Sequence, residues 1–391
     1  MTEIARGLEG VKFTETRLSK VDGLAGELTI AGFPLQELAP NASFEEVLFL
    51  LWYDRLPTAS DLEALRESLA SQRSLPPAAI AVLREAAGRR LPTMDAIRMT
   101  VDTVGLCEGE PHRGEGQVDV GCAVALVAHM PTIAAAYWRL RQGEEPIAPR
   151  ADLGHAANYL AMLTGEVPHP EGARALETYF NAVVDHGMNA STFTARVIVS
   201  TRSDMVSAIV GALGALKGPL HGGAPGPALD MVFEIRERAG RSGDSVEQEA
   251  QAWAKDTLAS GGRIMGFGHR IYKVRDPRAD VLADAARRLF QGAGDSQLYQ
   301  DALTVEQVML KELEEYRPGR GIKTNVEFFT ALILLGVGLP NEMFTPTFAI
   351  SRVGGWTAHV LEQIKEDRLI RPDAVYVGPV DRKWMPVEKR G

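Results

Sequence analysis

After Ser43 the chain places Val47, Leu48, Leu50 and Leu51, and after Ser60 it places Leu62, Leu65 and Leu69. That spacing turns one stripe of a helix toward a core. Ser43 with Glu46, Ser60 with Glu63, Ser245 with Gln248 and Thr304 with Gln307 each have the spacing of a capping box, in which the two side chains satisfy free amides of a first turn. The same reasoning predicts helices over Asp152–Leu163, closed by Gly165, over Ala173–Val184, and over Phe348–Ile364 after Pro346. Strand signals are sparse: Lys12–Leu18 and Glu27–Ala31 around Asp22-Gly23 predict a hairpin, and Ala374–Val377 a short strand. The predicted fold class is all-α with a minor N-terminal β-hairpin.

Val120–Trp138 is the longest uncharged run and approaches the length of a membrane span, but His129, Pro131 and Thr132 at its centre favour a buried helix pair. Apolar residues make up 45% of the 391 and charged residues 24%, the balance of a globular protein with a sizeable core. Glycine and proline are scattered, which excludes collagen or a proline-rich tether. They are denser between Gly211 and Pro227 and from Pro318 to Gly321, so the helical stretch between reads as an inserted lobe. A formal charge of −9 argues against a non-specific nucleic-acid binder or a polybasic membrane protein, so an anionic ligand must find a local basic patch. Cys107 and Cys122 provide no disulfide framework, and Met1–Arg6 carries no secretory or transit signature, so a cytoplasmic location is expected.

Three histidines stand in glycine-flanked turns: His186 before Gly187, His221 before Gly222-Gly223, and His269 after Gly266-Phe267-Gly268. Such turns let a ligand approach closely and present an imidazole to a cleft, although each also fits a helix end. Beside His269, Arg263, Arg270, Lys273, Arg275 and Arg278 face a single acid, Asp276. A solvated helix face would look the same, but an anion site next to a proton donor suits phosphate or carboxylate chemistry. Gly266-Phe267-Gly268 is not a dinucleotide fingerprint, because Ile271 replaces the third glycine and no strand precedes it. Gly211–Gly218 with Lys217 lacks the order of a phosphate loop. Cys107, His112, Cys122 and His129 have no metal-ligand spacing, so no metal is expected.

Asp185-His186-Gly187-Met188-Asn189-Ala190-Ser191-Thr192-Phe193, Gly218-Pro219-Leu220-His221-Gly222-Gly223-Ala224, and Gly266-Phe267-Gly268-His269-Arg270 with Asp276-Pro277-Arg278 together resemble citrate synthase of the shorter, dimeric bacterial and archaeal type. The likeness runs from Gly7-Leu8-Glu9-Gly10-Val11 through Leu50-Leu51-Trp52-Tyr53 and Ala161-Met162-Leu163-Thr164-Gly165 to Arg371-Pro372. It implies an almost wholly helical fold: a large domain, here 1–218 and 324–391, interrupted by a smaller one, 219–323, in a homodimer whose active sites use both subunits. It further implies an acyltransferase of the tricarboxylic acid cycle that condenses acetyl-CoA with oxaloacetate and hydrolyses citryl-CoA to citrate and CoA. No metal or tightly bound cofactor is implied, CoA being a co-substrate.

By motif position the resemblance makes His221 the neutral donor to the thioester oxygen, His269 the donor to the oxaloacetate ketone, and Glu327 of Asn325-Val326-Glu327-Phe328 the base. Many family members carry aspartate there. The added methylene changes basicity little, the ordinary values differing by ~0.4, but it changes reach. The carboxylates of oxaloacetate are expected at Arg278, Arg352 and Arg371, the last from the partner subunit, with His186 as a further donor. CoA phosphates are expected at Lys273 and Arg275, with Lys323 and Asn325 close to the base in sequence. The smaller domain is expected to close over bound oxaloacetate, with hinges near 218–223 and 319–321. A 2-methylcitrate synthase using propionyl-CoA would use the same residues, since one methylene is worth only ~1–3 kcal/mol. A non-catalytic dimer that binds CoA or a dicarboxylate is the alternative that Glu327 alone suggests.

Overall fold

Capped apolar stripes do build most of the molecule, and a computed structural model describes residues 4–8, 10–105, 120–221, 226–269, 271–292 and 295–390. An antiparallel sheet of β1 (Ser19–Asp22), β2 (Glu27–Ile30) and β3 (Phe33–Pro34) comes first. Then follow α1 (Leu35–Leu38), α2 (Phe44–Tyr53), α3 (Ala59–Ser71), α4 (Pro77–Gly88), α5 (Thr93–Gly105) and α6 (Gly121–Gln142). Next are α7 (His155–Thr164), α8 (Pro170–Val183), α9 (Ala190–Ser200) and α10 (Met205–Leu216). The chain continues through α11 (Gly226–Ser242), α12 (Val246–Ala259), α13 (Pro277–Gly292) and α14 (Ser296–Tyr316), and ends with α15 (Val326–Gly336) and α16 (Phe344–Glu366).

The capping boxes of Ser43 with Glu46 and Ser245 with Gln248 open α2 and α12 as predicted. Helix α3 starts earlier than predicted, because Thr58 and Asp61 close the box in place of Ser60 and Glu63. Thr304 and Gln307 open no helix; they lie inside α14, whose first amides are capped by Asp295. The hairpin forms with shifted edges, pairing Ser19 with Ile30 through Asp22 with Glu27, so Lys12–Leu18 is not a strand. Ala374–Val377 forms no strand either.

Val120–Trp138 is not a helix pair but most of the continuous α6, with Pro131 inside it. Every residue from Ala123 to Tyr137 is buried. This helix is long and apolar enough to cross a membrane, yet 83% of its apolar window is covered by the protein itself.

Helix α16 is the axis of the larger part of the fold, packing on α2, α5, α6, α8, α9 and α10. A Cβ at Gly355 would lie 2.1 Å from the Val184 carbonyl oxygen, so only glycine lets the end of α8 rest on the α16 backbone. That contact delivers the next residues, Asp185 and His186, beside Arg352. Helices α11, α12 and α14 pack on one another and α11 also on α15, whereas α13, between them in sequence, packs mainly on α8 and α15.

Candidate active site

The turn after α8 is fixed from both sides. Asp185 is fully buried, accepts from Ser19 Oγ at 2.5 Å, and lies 3.1 Å from His359 Nε2 of α16. His186 follows, buried, with Nε2 3.1 Å from the Tyr272 hydroxyl. Burial first, then Arg278 and Arg352, hold its imidazole well below the ordinary histidine value, so the ring is neutral.

Helix α9 positions His221. Asn189 caps it, accepting from Thr192 N, and Ser191 in its first turn points its backbone N–H at His221 Nε2, 3.3 Å away. Ser191 Oγ lies 2.8 Å from the same nitrogen and accepts from Trp356 Nε1. A backbone amide can only donate, so the hydrogen-bond network assigns the ring proton to Nδ1. Burial, then Arg352, depresses this histidine too.

His269 shows the opposite tautomer. Its Nδ1 accepts from the backbone amides of Ile271 and Tyr272, both at 3.1 Å, two donors against the single Arg278 guanidinium at Nε2, which favours the proton on Nε2. Nε2 lies 3.3 Å from Arg278 Nη2. Burial and then Arg278 lower its proton affinity, against the opposing pull of Asp276.

Arg278 is buried and braced by Asp276, which accepts from its Nε at 3.0 Å and from its Nη2 at 2.8 Å. Arg352 is buried as well, but its Nε donates to a neutral partner, Val183 O, at 2.7 Å, and its guanidinium lies over the Phe348 ring at 4.5 Å. Burial pushes its pKa down to about 10, with Asp185 as the first opposing charge. A buried cation without a carboxylate partner is costly by itself and becomes favourable when an anion arrives.

Glu327 sits in the first turn of α15. Its backbone N–H donates to the capping side chain of Asn325 at 2.9 Å, and Asn325 Nδ2 donates to Gly268 O at 2.9 Å. Gly268 N to Lys323 O at 2.7 Å and Asn325 N to Gly266 O at 3.0 Å complete a short antiparallel bridge. The strand before His269 and the start of the Glu327 helix therefore share one backbone frame. Burial raises the Glu327 carboxyl above its ordinary value, opposed by Arg278 and then Arg263.

One cavity of about 1370 Å³ is lined by His186, His221, His269, Arg278, Glu327, Arg352, Lys273 and Arg371. Arg371 is exposed on its outer part. The other residues expected to hold CoA line neither this cavity nor the smaller one. Arg275 is bound to Asp280 and Glu306, Lys323 contributes its carbonyl to the bridge, and Asn325 is a helix cap. A second cavity of about 440 Å³ opens on the other side of His269, with Arg263, Phe267, Leu313, Tyr316 and Arg317 in its wall. Sequence reasoning missed Tyr316 and Arg317, which carry no motif, and missed the roles of Ser191, Tyr272 and Asp276, which lay inside or beside the motifs quoted. Cys107, His112 and Arg270 lie outside the described residues.

Comparisons with known proteins show which family has this sequence and fold. A family model described as "Citrate synthase, C-terminal domain" matches residues 7–373. Citrate synthase of Haloferax volcanii is 39% identical over 99% of both chains. A 2-methylcitrate synthase of Mycobacterium tuberculosis is 37% identical over 97% of this chain and 92% of its own. Among solved structures, citrate synthase from Pyrobaculum aerophilum superposes with a TM-score of 0.88 at 38% identity, covering 99% of this chain and 95% of its own. The citrate synthase of Thermoplasma acidophilum, in ternary complex with carboxymethyl coenzyme A and oxaloacetate, gives 0.86 at 32% identity with both chains fully covered. A likeness that holds over nearly the whole chain in both sequence and fold has one conclusion: the chain belongs to the citrate synthase family, condensing enzymes of the transferase type.

Proposed function

We propose that His221, His269 and Glu327 carry the citrate synthase reaction of this chain, condensing acetyl-CoA with oxaloacetate. Oxaloacetate enters first, its carboxylates meeting Arg352 and Arg278 and its ketone oxygen meeting His269 Nε2–H. Glu327 then removes a proton from the acetyl methyl group while His221 Nδ1–H donates to the thioester oxygen, where enolate charge develops. The nucleophilic carbon attacks the ketone, the new alkoxide takes the Nε2 proton of His269, the proton held by Glu327 passes through solvent to restore the histidine, and water cleaves citryl-CoA to citrate and CoA. The observation that carries this reading is the pair of neutral imidazoles. Each has one nitrogen facing backbone N–H donors, one for His221 and two for His269, which favours the ring proton on the other nitrogen, in a cavity that Glu327 also lines.

The CoA nucleotide is assigned to the second cavity, where Arg263 and Arg317 supply positive charge and Tyr316 a ring. Closure of 219–323 over oxaloacetate completes that side of the site, with α11, α12 and α14 as the moving part. A homodimer in which Arg371 enters the partner's site is supported by the segment after it, where Tyr376, Val377, Val380 and Trp384 are 71–90% exposed. A cytoplasmic enzyme feeding the tricarboxylic acid cycle fits the two cysteines and the reaction.

The test is CoA thiol release with acetyl-CoA and, separately, propionyl-CoA, each with and without oxaloacetate. Oxaloacetate-dependent release with a higher kcat/KM for acetyl-CoA is expected. Preference for propionyl-CoA would move the chain to 2-methylcitrate formation, the activity named for the Mycobacterium tuberculosis relative. Oxaloacetate binding without release from either thioester would leave a binding protein and overturn the proposal.

A further inference from the structure

The β1–β2 hairpin lies away from the reacting groups, yet it touches both substrate loops. On one side Ser19 Oγ accepts from Gly187 N at 2.9 Å and donates to Asp185 Oδ2 at 2.5 Å, bracketing His186. On the other side Gly23 O accepts from Lys273 N at 2.9 Å. The fit there is close: a Cβ at Gly23 would stand 2.4 Å from Ile271 O, and one at Gly26 would stand 2.6 Å from Val274 Cγ2. The turn between is held by Asp22, whose Oδ1 accepts from Leu24 N at 3.1 Å and Ala25 N at 2.9 Å.

The loop on which Gly23 rests is the one that orients His269. Ile271 N and Tyr272 N are the donors to its Nδ1, and the Tyr272 hydroxyl reaches across to His186 Nε2 at 3.1 Å. The contacts thus close a ring: Ser19, Gly187, His186, Tyr272, Lys273, Gly23, and back along β1. The rings of His186 and His269 lie 5.8 Å apart inside it.

We propose that the hairpin is a template that sets the spacing of His186 and His269, with Gly23 as its positioning residue. The inference rests on the citrate synthase reading, in which both histidines meet oxaloacetate. Gly23 comes from the 1–218 part of the chain and its partner loop from 219–323, so the template also ties the two parts together at the substrate.

The experiment is Gly23→Ala in the full-length protein, with Leu24→Ala as control. Gly23 does not have a positive φ, so alanine is tolerated by the backbone and the substitution reads the contact with Ile271. Leu24 is 79% exposed at the turn. For Gly23→Ala, faster hydrogen exchange at the Lys273 amide and a ~10-fold weaker oxaloacetate Kd by calorimetry are expected, with KM for acetyl-CoA within ~2-fold. NMR titration of His269 should show its pKa rising as it loses backbone donors. Leu24→Ala should behave as the wild type, and Gly23→Ala should stay folded, with a single cooperative thermal transition. Unchanged exchange and an unchanged His269 titration in Gly23→Ala overturn the inference, as does equal weakening in both variants with loss of thermal stability. A wild-type protein that neither binds oxaloacetate nor releases thiol overturns the reaction reading instead, while exchange and titration still decide the role of the hairpin.

Discussion

With the His269 ring proton on Nε2, as its two backbone donors at Nδ1 favour, Arg278 Nη2 and that nitrogen are two donors 3.3 Å apart. Because the amides of Ile271 and Tyr272 occupy Nδ1, the histidine cannot turn an acceptor toward the arginine without losing them. An oxygen seated between the two takes both hydrogen bonds at once. Asp276 holds the guanidinium in place through Nε and Nη2, a grip that an ammonium group cannot reproduce. Arg278→Lys should therefore lower kcat/KM for oxaloacetate ~100-fold while KM for acetyl-CoA at saturating oxaloacetate changes little, as steady-state kinetics would show.

The pH profile should carry the mark of burial. Glu327 must be deprotonated to act as base, and its raised carboxyl puts the acid limb above the ordinary value of 4.5. His221 and His269 accept from backbone amides at one ring nitrogen and so act as neutral imidazoles, and both are depressed below 6.5, so neither should cut activity off at that pH. Arg263 lowers the Glu327 carboxyl, so Arg263→Met should move the acid limb of kcat to higher pH. An acid limb that moves the other way would show that Glu327 does not govern it. Glu327→Gln should cost ~10²–10⁴-fold in kcat.

Away from the site, His155 at the start of α7 is wholly buried beside Phe44 and Phe180, and neither ring nitrogen has a partner. Burial pushes its pKa down to about 3. The unfolded chain takes up a proton near 6.5 and the folded chain does not, so stability falls as pH drops from that value toward 3. At pH 5 this one residue costs about 2 kcal/mol relative to neutral pH. His155→Phe should remove that part of the acid sensitivity, measured as the difference between urea unfolding free energies at pH 7 and pH 5.

Two inactive variants can locate Arg371. If it serves the partner's site, a purified heterodimer of one Arg371→Ala subunit and one Glu327→Gln subunit keeps one intact site and about half of the wild-type activity. If Arg371 serves its own site, both sites of that heterodimer are defective and it is inactive.

The helical class, the buried run of α6 and the glycine-flanked histidines were legible because each leaves a local trace: a period, a composition or a turn residue. The cap of α3 was misread by two residues because Thr58-Ala59-Ser60-Asp61-Leu62-Glu63 offers two overlapping boxes, and sequence does not say which hydroxyl reaches its amide first. Thr304 and Gln307 imitate a helix start although α14 has already begun at Ser296. Arg275 looked free for phosphate because Glu306, which holds it together with Asp280, is 31 residues away in the chain. The tautomers of His221 and His269 were out of reach for the same reason in part: the amide facing His221 comes from Ser191, across a fold that only packing creates.

Gly354 and Gly355 sit in the interior of α16, where each costs the helix ~0.5–1 kcal/mol relative to alanine. An engineer seeking thermostability would replace them first. A Cβ at Gly354 would fall 2.4 Å from Leu48 Cδ2 of α2, and one at Gly355 would fall 2.1 Å from the Val184 carbonyl oxygen, forcing the end of α8 off the helix. Arg352, one turn earlier, would lose Val183 as its fixed acceptor. The helix carries this weakness as the condition for bringing a buried guanidinium and a histidine turn to the same place, so heat resistance in this protein has to be sought in other helices.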